Sequence, residues 1–315
     1  MNDFFDNQRL LEVIWKHRFH FVIVGIIAVI LSAFFSSPMF ITPKYKSSTK
    51  AYPTNLGVMS EESYTEQMLE IINSTDIKLK MFDAFELDKV YKISKDDPKY
   101  LTYMLAIYDK HVSTRKTDFE TVQITILDKK PERAALMCDS LIHFYNQKVQ
   151  EMHSEKNWEL AKVIKDNIAR QTTEQDSLRH LLVNFRDTSR LYDVVLQTPE
   201  VTRGYMRSMV EGSSSMQNEK EIKRIYNNLL ENGADVHIME RRFESLVVSI
   251  NELKVEYDKA ISEAEKRITY AMVVEKPLVA DDKSYPVRWV IVAFTLISSL
   301  FLALLVLLIL DYKKK

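Results

Sequence analysis

The chain has 315 residues, of which 28% are charged and 46% are hydrophobic, and its formal net charge at pH 7 is −1. A balance this close to zero argues against a nucleic-acid-binding protein, which normally carries a basic surplus. Only five residues are glycine, and none stands in a phosphate-cradling pattern, which excludes P-loop and dinucleotide-binding motifs. The single cysteine, Cys138, cannot build an internal disulfide or a cysteine zinc site.

The first of two apolar segments covers residues 19–41. Roughly 20 residues cross the hydrocarbon core of a bilayer as a helix, so this segment is long enough to span it. A cleaved signal peptide is the alternative interpretation. It is disfavoured because the segment exceeds an apolar signal region of about 7–15 residues, and because acidic residues precede it. We therefore predict a short cytoplasmic N-terminus over residues 1–18 and a transmembrane helix over residues 19–41.

The second apolar segment, residues 289–310, contains no charged residue. Trp289 and Tyr312 flank it as aromatic residues of the kind found at membrane interfaces, and three lysines close the chain. Positive charge favours the cytoplasmic side, so residues 311–315 are predicted to be a cytoplasmic tail. Two spans then place both termini in the cytoplasm. Residues 42–288 are expected to face the periplasm, which makes the chain a multi-pass protein of the inner membrane.

A small α/β base domain is predicted over residues 42–130, completed by a return strand and proline connector over residues 268–288. Alternating or β-branched runs indicate strands at Tyr45–Tyr52, Thr121–Leu127 and Ile268–Val274. Helical patterns lie at residues 61–73, 75–85 and 98–110. Strands from both ends of the segment can therefore meet beside the membrane.

A long helical hairpin is predicted over residues 131–267. Pro131 stands at a first-turn position, and an apolar stripe then continues along an otherwise polar helix. The proline, glycines and serines of residues 197–218 predict a turn or mobile tip. The return helix is expected to break at Asn232 and Gly233. The fold class is thus an α+β membrane protein with two terminal transmembrane helices, a small membrane-proximal α/β base domain and a long extended helical hairpin.

The return helix carries apolar residues at alternating spacings of three and four, which is the a/d seam of a coiled coil. This seam is expected to be an assembly seam. It consists of Val236, Met239, Phe243, Leu246, Ile250, Leu253 and Tyr257. It could pack inside one chain as a helical hairpin, or partly against a neighbouring subunit. The two interpretations are compatible, because a thin hairpin buries too little surface to stand alone. We therefore expect a homo-oligomer.

No constellation of residues predicts catalysis. The motifs H-E-x-x-H, C-x-x-C and G-x-S-x-G are absent. Cys138 lies among apolar residues of a predicted helix, which favours a buried structural thiol. We expect no catalytic residue, no cofactor and no metal site, and hence no enzyme.

The segment that leads into the second apolar stretch reads VEKPLVADDKSYPVRW, residues 274–289. It resembles the proline-containing segment before the second membrane helix of polysaccharide co-polymerases, the chain-length determinant or Wzz-like family. The residues that take the family's places are Pro277, Lys283, Ser284 and Pro286. Tyr285 is inserted relative to the family pattern, and the glycine-rich patch that the family often carries in its second membrane helix is missing here. Because proline neither donates to a sheet nor continues a helix inward, these residues are expected to couple the base domain to the span.

The resemblance implies a ring-shaped homo-oligomer in the inner membrane that acts with a polysaccharide polymerase or exporter on a lipid-linked glycan. Such a protein regulates the chain length of a surface polysaccharide, whether O-antigen, capsule or exopolysaccharide, without chemistry of its own. The alternative function is a structural or adaptor subunit of an envelope secretion or export complex. A ligand-sensing outer domain that acts through a partner is a third interpretation.

Overall fold

The computed structural model describes residues 14–57, 61–211 and 216–313. The chain divides into two compact units. The first combines Met1–Val149 with Ile268–Lys315, and the second is Gln150–Arg267.

Two helices of the first unit, α1 (Arg18–Phe35) and α9 (Arg288–Lys313), are long and apolar enough to cross a membrane. Helix α1 ends at Phe35 although the apolar segment continues, because the residue before a proline disfavours helical geometry and Pro38 follows closely. The two helices pack side by side. A Cβ atom built on Gly25 would lie 3.4 Å from a methyl group of Leu296, so glycine gives α1 its close approach to α9.

A four-stranded antiparallel sheet forms the base of the first unit, in the order β2-β3-β1-β4. Its strands are β1 (Tyr45–Pro53), β2 (Val112–Lys116), β3 (Val122–Asp128) and β4 (Ala271–Glu275). The predicted meeting of strands from the two ends of the segment is confirmed, since β1 pairs with β4. Burial alternates along β1 and β3, as expected for strands that cover a core with one face. Strand β2 was not predicted.

The helices α2 (Tyr64–Ile72), α3 (Thr75–Ala84), α4 (Leu87–Tyr91) and α5 (Tyr100–His111) complete the base. Helix α2 begins with a capping box in which Ser63 and Glu66 satisfy each other's backbone N–H groups. The core between sheet and helices includes the fully buried Cys138. Burial raises the pKa of its thiol to about 12. The prediction of a buried structural cysteine is therefore confirmed.

The second unit contains most of α6 (Pro131–Ser189), together with α7 (Val194–Glu211) and α8 (Met216–Glu265). Helix α6 ends before Arg190, which adopts a left-handed φ of 62°. Helix α7 then starts behind Asp193, whose carboxylate accepts the backbone N–H of Leu196 at 3.0 Å. The side-chain oxygen of Gln197 accepts two further backbone N–H groups of this turn.

The turn or mobile tip predicted over residues 197–218 begins too early, because the stretch up to Glu211 is helical. Helix α8 starts inside the predicted range, at Met216, and runs antiparallel to α7. The glycine and the tyrosine of residues 197–211 pack against α8. Gly204 lies under Ile222, and the rings of Tyr205 and Tyr226 stack with centroids 4.4 Å apart. Such packing outweighs the local preference of helix-breaking residues. Residues 212–215 of the predicted tip lie outside the described ranges.

The break predicted at Asn232 and Gly233 is also wrong, since α8 is continuous there. A Cβ atom on Gly233 would lie 3.5 Å from a methyl carbon of Val194. This distance is ordinary van der Waals contact, so the position lies in a continuous helix beside the start of α7 rather than in a turn.

Candidate functional site

The segments adjoining α1 and α9 are hydrogen-bonded to each other. We call residues 276–287, between β4 and α9, the connector. The backbone N–H of Lys44 donates to the carbonyl of Tyr285 at 2.9 Å, and the N–H of Ser284 donates to the carbonyl of Lys44 at 2.9 Å. Further along, Tyr52 of β1 pairs with Met272 of β4. The chain segment after α1 leads into β1, the segment before α9 follows β4, and these two strands are paired with each other.

Two buried hydroxyl groups of β1 form hydrogen bonds to the end of β4 and to the connector. Ser47 is 2% exposed and donates to the carbonyl of Leu278 at 2.8 Å. Thr49 is 1% exposed and donates to the carbonyl of Glu275 at 2.7 Å. Buried polar groups are normally hydrogen-bonded. Here each buried hydroxyl group is paired with a backbone carbonyl. Hydroxyl residues at inward positions of a strand were the signal for these bonds, although the sequence did not reveal their partners.

The predicted coupling residues all lie along the connector. Pro277 follows the last ladder residue of β4, where a missing N–H group is tolerated. Lys283 donates its backbone N–H to the carboxylate of Asp282 at 2.7 Å. Ser284 and the buried Pro286 lie beside the start of β1. The structure therefore brings the connector against the sheet, and a coupling role for these residues remains a prediction.

Asn146 of α6 was not singled out from the sequence. Its side-chain oxygen accepts the backbone N–H groups of Tyr270 at 2.7 Å and of Ala271 at 3.0 Å. These bonds hold the start of β4 against the helix. An asparagine inside a strong helical pattern is unfavourable by intrinsic propensity, and that mismatch is the one sequence signal it offers.

The predicted seam packs inside one chain. Val236 is buried with Leu182, Leu191 and Val194, and Met239 and Phe243 pack on this cluster. Leu246 and Ile250 are buried at 2% and 5% exposure. Leu253 and Tyr257 pack on a further cluster of Ala161, Ile164 and Ala260. These contacts support the intramolecular interpretation, whereas a contact of the seam with a neighbouring subunit stays a prediction.

An ion pair joins the same two helices. The guanidinium of Arg242 donates to both carboxylate oxygens of Glu174, at 2.7 Å and 3.0 Å. Hydrogen bonding by Arg242 lowers the pKa of the Glu174 carboxyl. The two-pronged geometry fixes the relative register of α6 and α8 here. Its contribution to stability is small because both side chains are largely in water.

Within residues 14–57, 61–211 and 216–313, no group of three or more histidine, cysteine, aspartate or glutamate side chains could hold a metal ion. The structure is that of a protein in which two apolar helices adjoin one sheet, and hydrogen bonds hold the connector before the second helix against that sheet.

The family model that matches the chain is described as Wzz, chain length determinant protein, and it matches residues 3–85. The matched region contains α1, β1 and the first helices of the base. The resemblance to this family is thus confirmed over those residues.

Similar solved structures include a full-length bacterial polysaccharide co-polymerase, at 13% identity and a TM-score of 0.46, with 98% of each chain covered. The wild-type lipopolysaccharide O-antigen chain-length regulator of Shigella flexneri has 15% identity and a TM-score of 0.32, over 76% of this chain and 100% of that one. A Wzz dodecamer fitted to a cryo-electron microscopy map has 13% identity and a TM-score of 0.28, over 76% and 98%. No curated protein matches the chain.

Proposed function

We propose that the protein is a non-enzymatic polysaccharide co-polymerase that regulates the chain length of a surface polysaccharide. The observation that carries the proposal is the match of residues 3–85 to the chain length determinant family. The connector supports it, because hydrogen bonds from Ser47, Thr49 and Lys44 link the base to the segments beside both apolar helices. A regulator of this design would act on a membrane polymerase or exporter, and on its lipid-linked glycan, by contact.

The proposed location is the inner membrane, with α1 and α9 as the two spans and residues 42–288 in the periplasm. The length and apolar character of both helices support this location. Lysines at the end of the chain favour a cytoplasmic C-terminus. Two spans then place the N-terminus on the same side.

The proposed assembly is a ring-shaped homo-oligomer. Strand β4 is an edge strand, and it exposes 64% of Met272 and 59% of Val274 to solvent. Leu278 of the connector is exposed at 76%. Contiguous apolar residues on an exposed sheet edge favour contact with another chain. This surface is therefore a candidate contact between subunits, alongside the predicted contribution of the seam.

The test is a gel of surface polysaccharide from cells that have or lack the gene. We expect deletion to replace a preferred chain length by a broad distribution, and re-expression of the wild-type chain to restore it. Re-expression of Pro286→Ala, at an equal amount in the membrane fraction, is expected to restore it incompletely because the buried proline of the connector is lost. The control is Pro98→Ala, which changes an exposed proline of the base.

A length distribution that is unchanged by deletion would contradict the proposed function. It would favour the structural or adaptor subunit of an export complex instead. Equal restoration by Pro286→Ala and Pro98→Ala would reject only the coupling role of Pro286.

A further inference from the structure

A basic pocket of about 320 Å³ lies in the base domain beside the connector. The residues that line it include three lysines, Lys44, Lys92 and Lys129, and His111. Asp128 is the carboxylate in the lining, and its side chain accepts an ion-pair contact from Arg133 at 2.7 Å. The formal charge of the lining residues is therefore positive, since three lysines stand against one aspartate that is already paired with an arginine.

The three lysines have no acidic partner among the residues that the structure describes. No carboxylate in those ranges lies within 4.0 Å of the amine of Lys44, Lys92 or Lys129. By contrast, many lysines elsewhere on the base are paired, such as Lys78 with Asp109 at 2.8 Å. Because this lining carries more positive than negative charge, an anion bound in the pocket would be stabilised.

Lys44 is held in place by its neighbours. Its amine lies 2.7 Å from Nε2 of His111 and 5.7 Å from the ring centroid of Tyr285. An ammonium group only donates, so Nε2 of His111 accepts and the imidazole is neutral in this contact. Burial, with a smaller effect of Lys44, lowers the pKa of His111, and Tyr91 stacks on its ring with centroids 5.5 Å apart. The contact with His111 uses one of the three N–H groups of Lys44 and leaves two for a ligand.

The pocket lies close to both apolar helices along the chain. Lys44 follows the end of α1 at Phe35 by nine residues. Its backbone is hydrogen-bonded to Ser284 and Tyr285, which precede the start of α9 at Arg288 by only a few residues. Lysine side chains at this distance from a span reach the headgroup level of a bilayer. Phosphate groups of lipids are concentrated at this level.

We propose that this pocket binds the phosphate group of a membrane lipid. Lysine binds phosphate as a compact point charge, and charge-assisted hydrogen bonds to phosphate oxygens are stronger than neutral ones. A volume of about 320 Å³ lies within the range of about 300–1,000 Å³ typical of ligand pockets. The inference rests on one part of the proposed function, namely that α1 and α9 span the membrane.

The test uses the full chain in nanodiscs of phosphatidylcholine that contain a small fraction of fluorescent phosphatidylglycerol. Native mass spectrometry of the same protein counts the phospholipids that remain bound. We expect the wild-type chain to retain phosphatidylglycerol, and Lys44→Gln to weaken retention at least tenfold. A tenfold loss is the lower end for removal of one hydrogen bond to a charged group.

Two further variants distinguish lipid binding in the pocket from attraction to the basic surface around it. Lys129→Gln removes an exposed lysine of the lining that makes no ion pair, and it is expected to weaken retention without changing the melting temperature. Lys46→Gln is the matched control, because Lys46 is an exposed lysine of β1 that lies two residues from Lys44 and outside the lining. Equal loss in Lys46→Gln and Lys44→Gln would overturn the proposal in favour of general attraction to an anionic surface.

Inorganic phosphate tests the source of the ligand. Displacement of phosphatidylglycerol by an equal concentration of inorganic phosphate would overturn the assignment to a lipid. The polysaccharide gel is independent of these measurements. Loss of lipid in Lys44→Gln with an unchanged deletion phenotype would reject the proposed function alone, and a strong deletion phenotype without lipid retention would reject the pocket alone.

Discussion

Asn146 shows how one side chain can determine where a distant strand begins. Helix α6 and strand β4 are separated by the entire second unit along the sequence. The side-chain oxygen of Asn146 satisfies two consecutive backbone N–H groups, those of Tyr270 and Ala271. Both residues are buried, so the two donors have no access to water in place of this partner.

We expect Asn146→Ala to lower the free energy of unfolding by about 1–3 kcal/mol, because it leaves two buried backbone N–H groups without an acceptor. The measurement is thermal unfolding of the full chain in detergent. Asn157→Ala is the control, since Asn157 lies on the same helix and its side chain bonds only to the carbonyl of His153 one turn earlier. Equal melting temperatures for the two variants would show that the bonds of Asn146 contribute nothing.

At the scale of elements, the predicted seam is the part of α8 that faces α6 within one chain. Leu246 is 2% exposed, whereas Val248, two residues further along the same helix, is 58% exposed. The two positions have similar side chains and the same helical context. Any difference between their substitutions therefore reports burial against a neighbouring element.

We expect Leu246→Asp to destabilise the second unit by roughly 3–5 kcal/mol, since it leaves an uncompensated buried charge. Val248→Asp is expected to leave stability nearly unchanged. Limited proteolysis measures loss of the helical pairing, and mass photometry in detergent measures oligomer size. Phe243→Asp provides a second test on the same seam. Unchanged protease resistance and oligomer size in Leu246→Asp would contradict both interpretations of the seam.

The strands β1 and β3 could be predicted because their inward residues alternate with outward ones. Strand β2 could not, since only Val112 of its five residues is buried and its strand form depends on pairing with β3. The proline motif of the connector was readable from the sequence, as was the apolar character of both terminal helices. The hydrogen bonds that hold the connector could not be predicted, because Ser47 and Leu278 are 231 residues apart and local periodicity carries no information on such contacts.

The departures from prediction in the second unit have a common cause. Pro199, Gly204 and Gly233 are helix-breaking residues by local propensity, yet all three lie inside helices. A Cβ atom at Gly204 or Gly233 would be in ordinary van der Waals contact with a side chain of the neighbouring helix. The break between α6 and α7 contains Arg190 and Asp193, and the N-cap signal of Asp193 before an apolar run was available in the sequence.

For the whole molecule, the decisive prediction concerns orientation. A fluorescent protein at the C-terminus is expected to fluoresce, because the terminal lysines favour the cytoplasm. Alkaline phosphatase inserted after Asp118, in the exposed turn between β2 and β3, is expected to be active because it would lie outside the cytoplasm. Alkaline phosphatase fused before α1 is the control and is expected to be inactive. Reversal of these activities would contradict the proposed topology.

The pairing of β1 with β4 also has a consequence for biosynthesis. Thr49 and its partner Glu275 are 226 residues apart. At about 5–20 residues per second, a ribosome needs roughly 10–45 s to make that distance. Strand β3 is made early and can cover one edge of β1, while the other edge stays open until β4 emerges, followed by the connector and α9. Because α9 follows β4 directly along the chain, completion of the sheet and release of α9 fall within seconds of each other during translation.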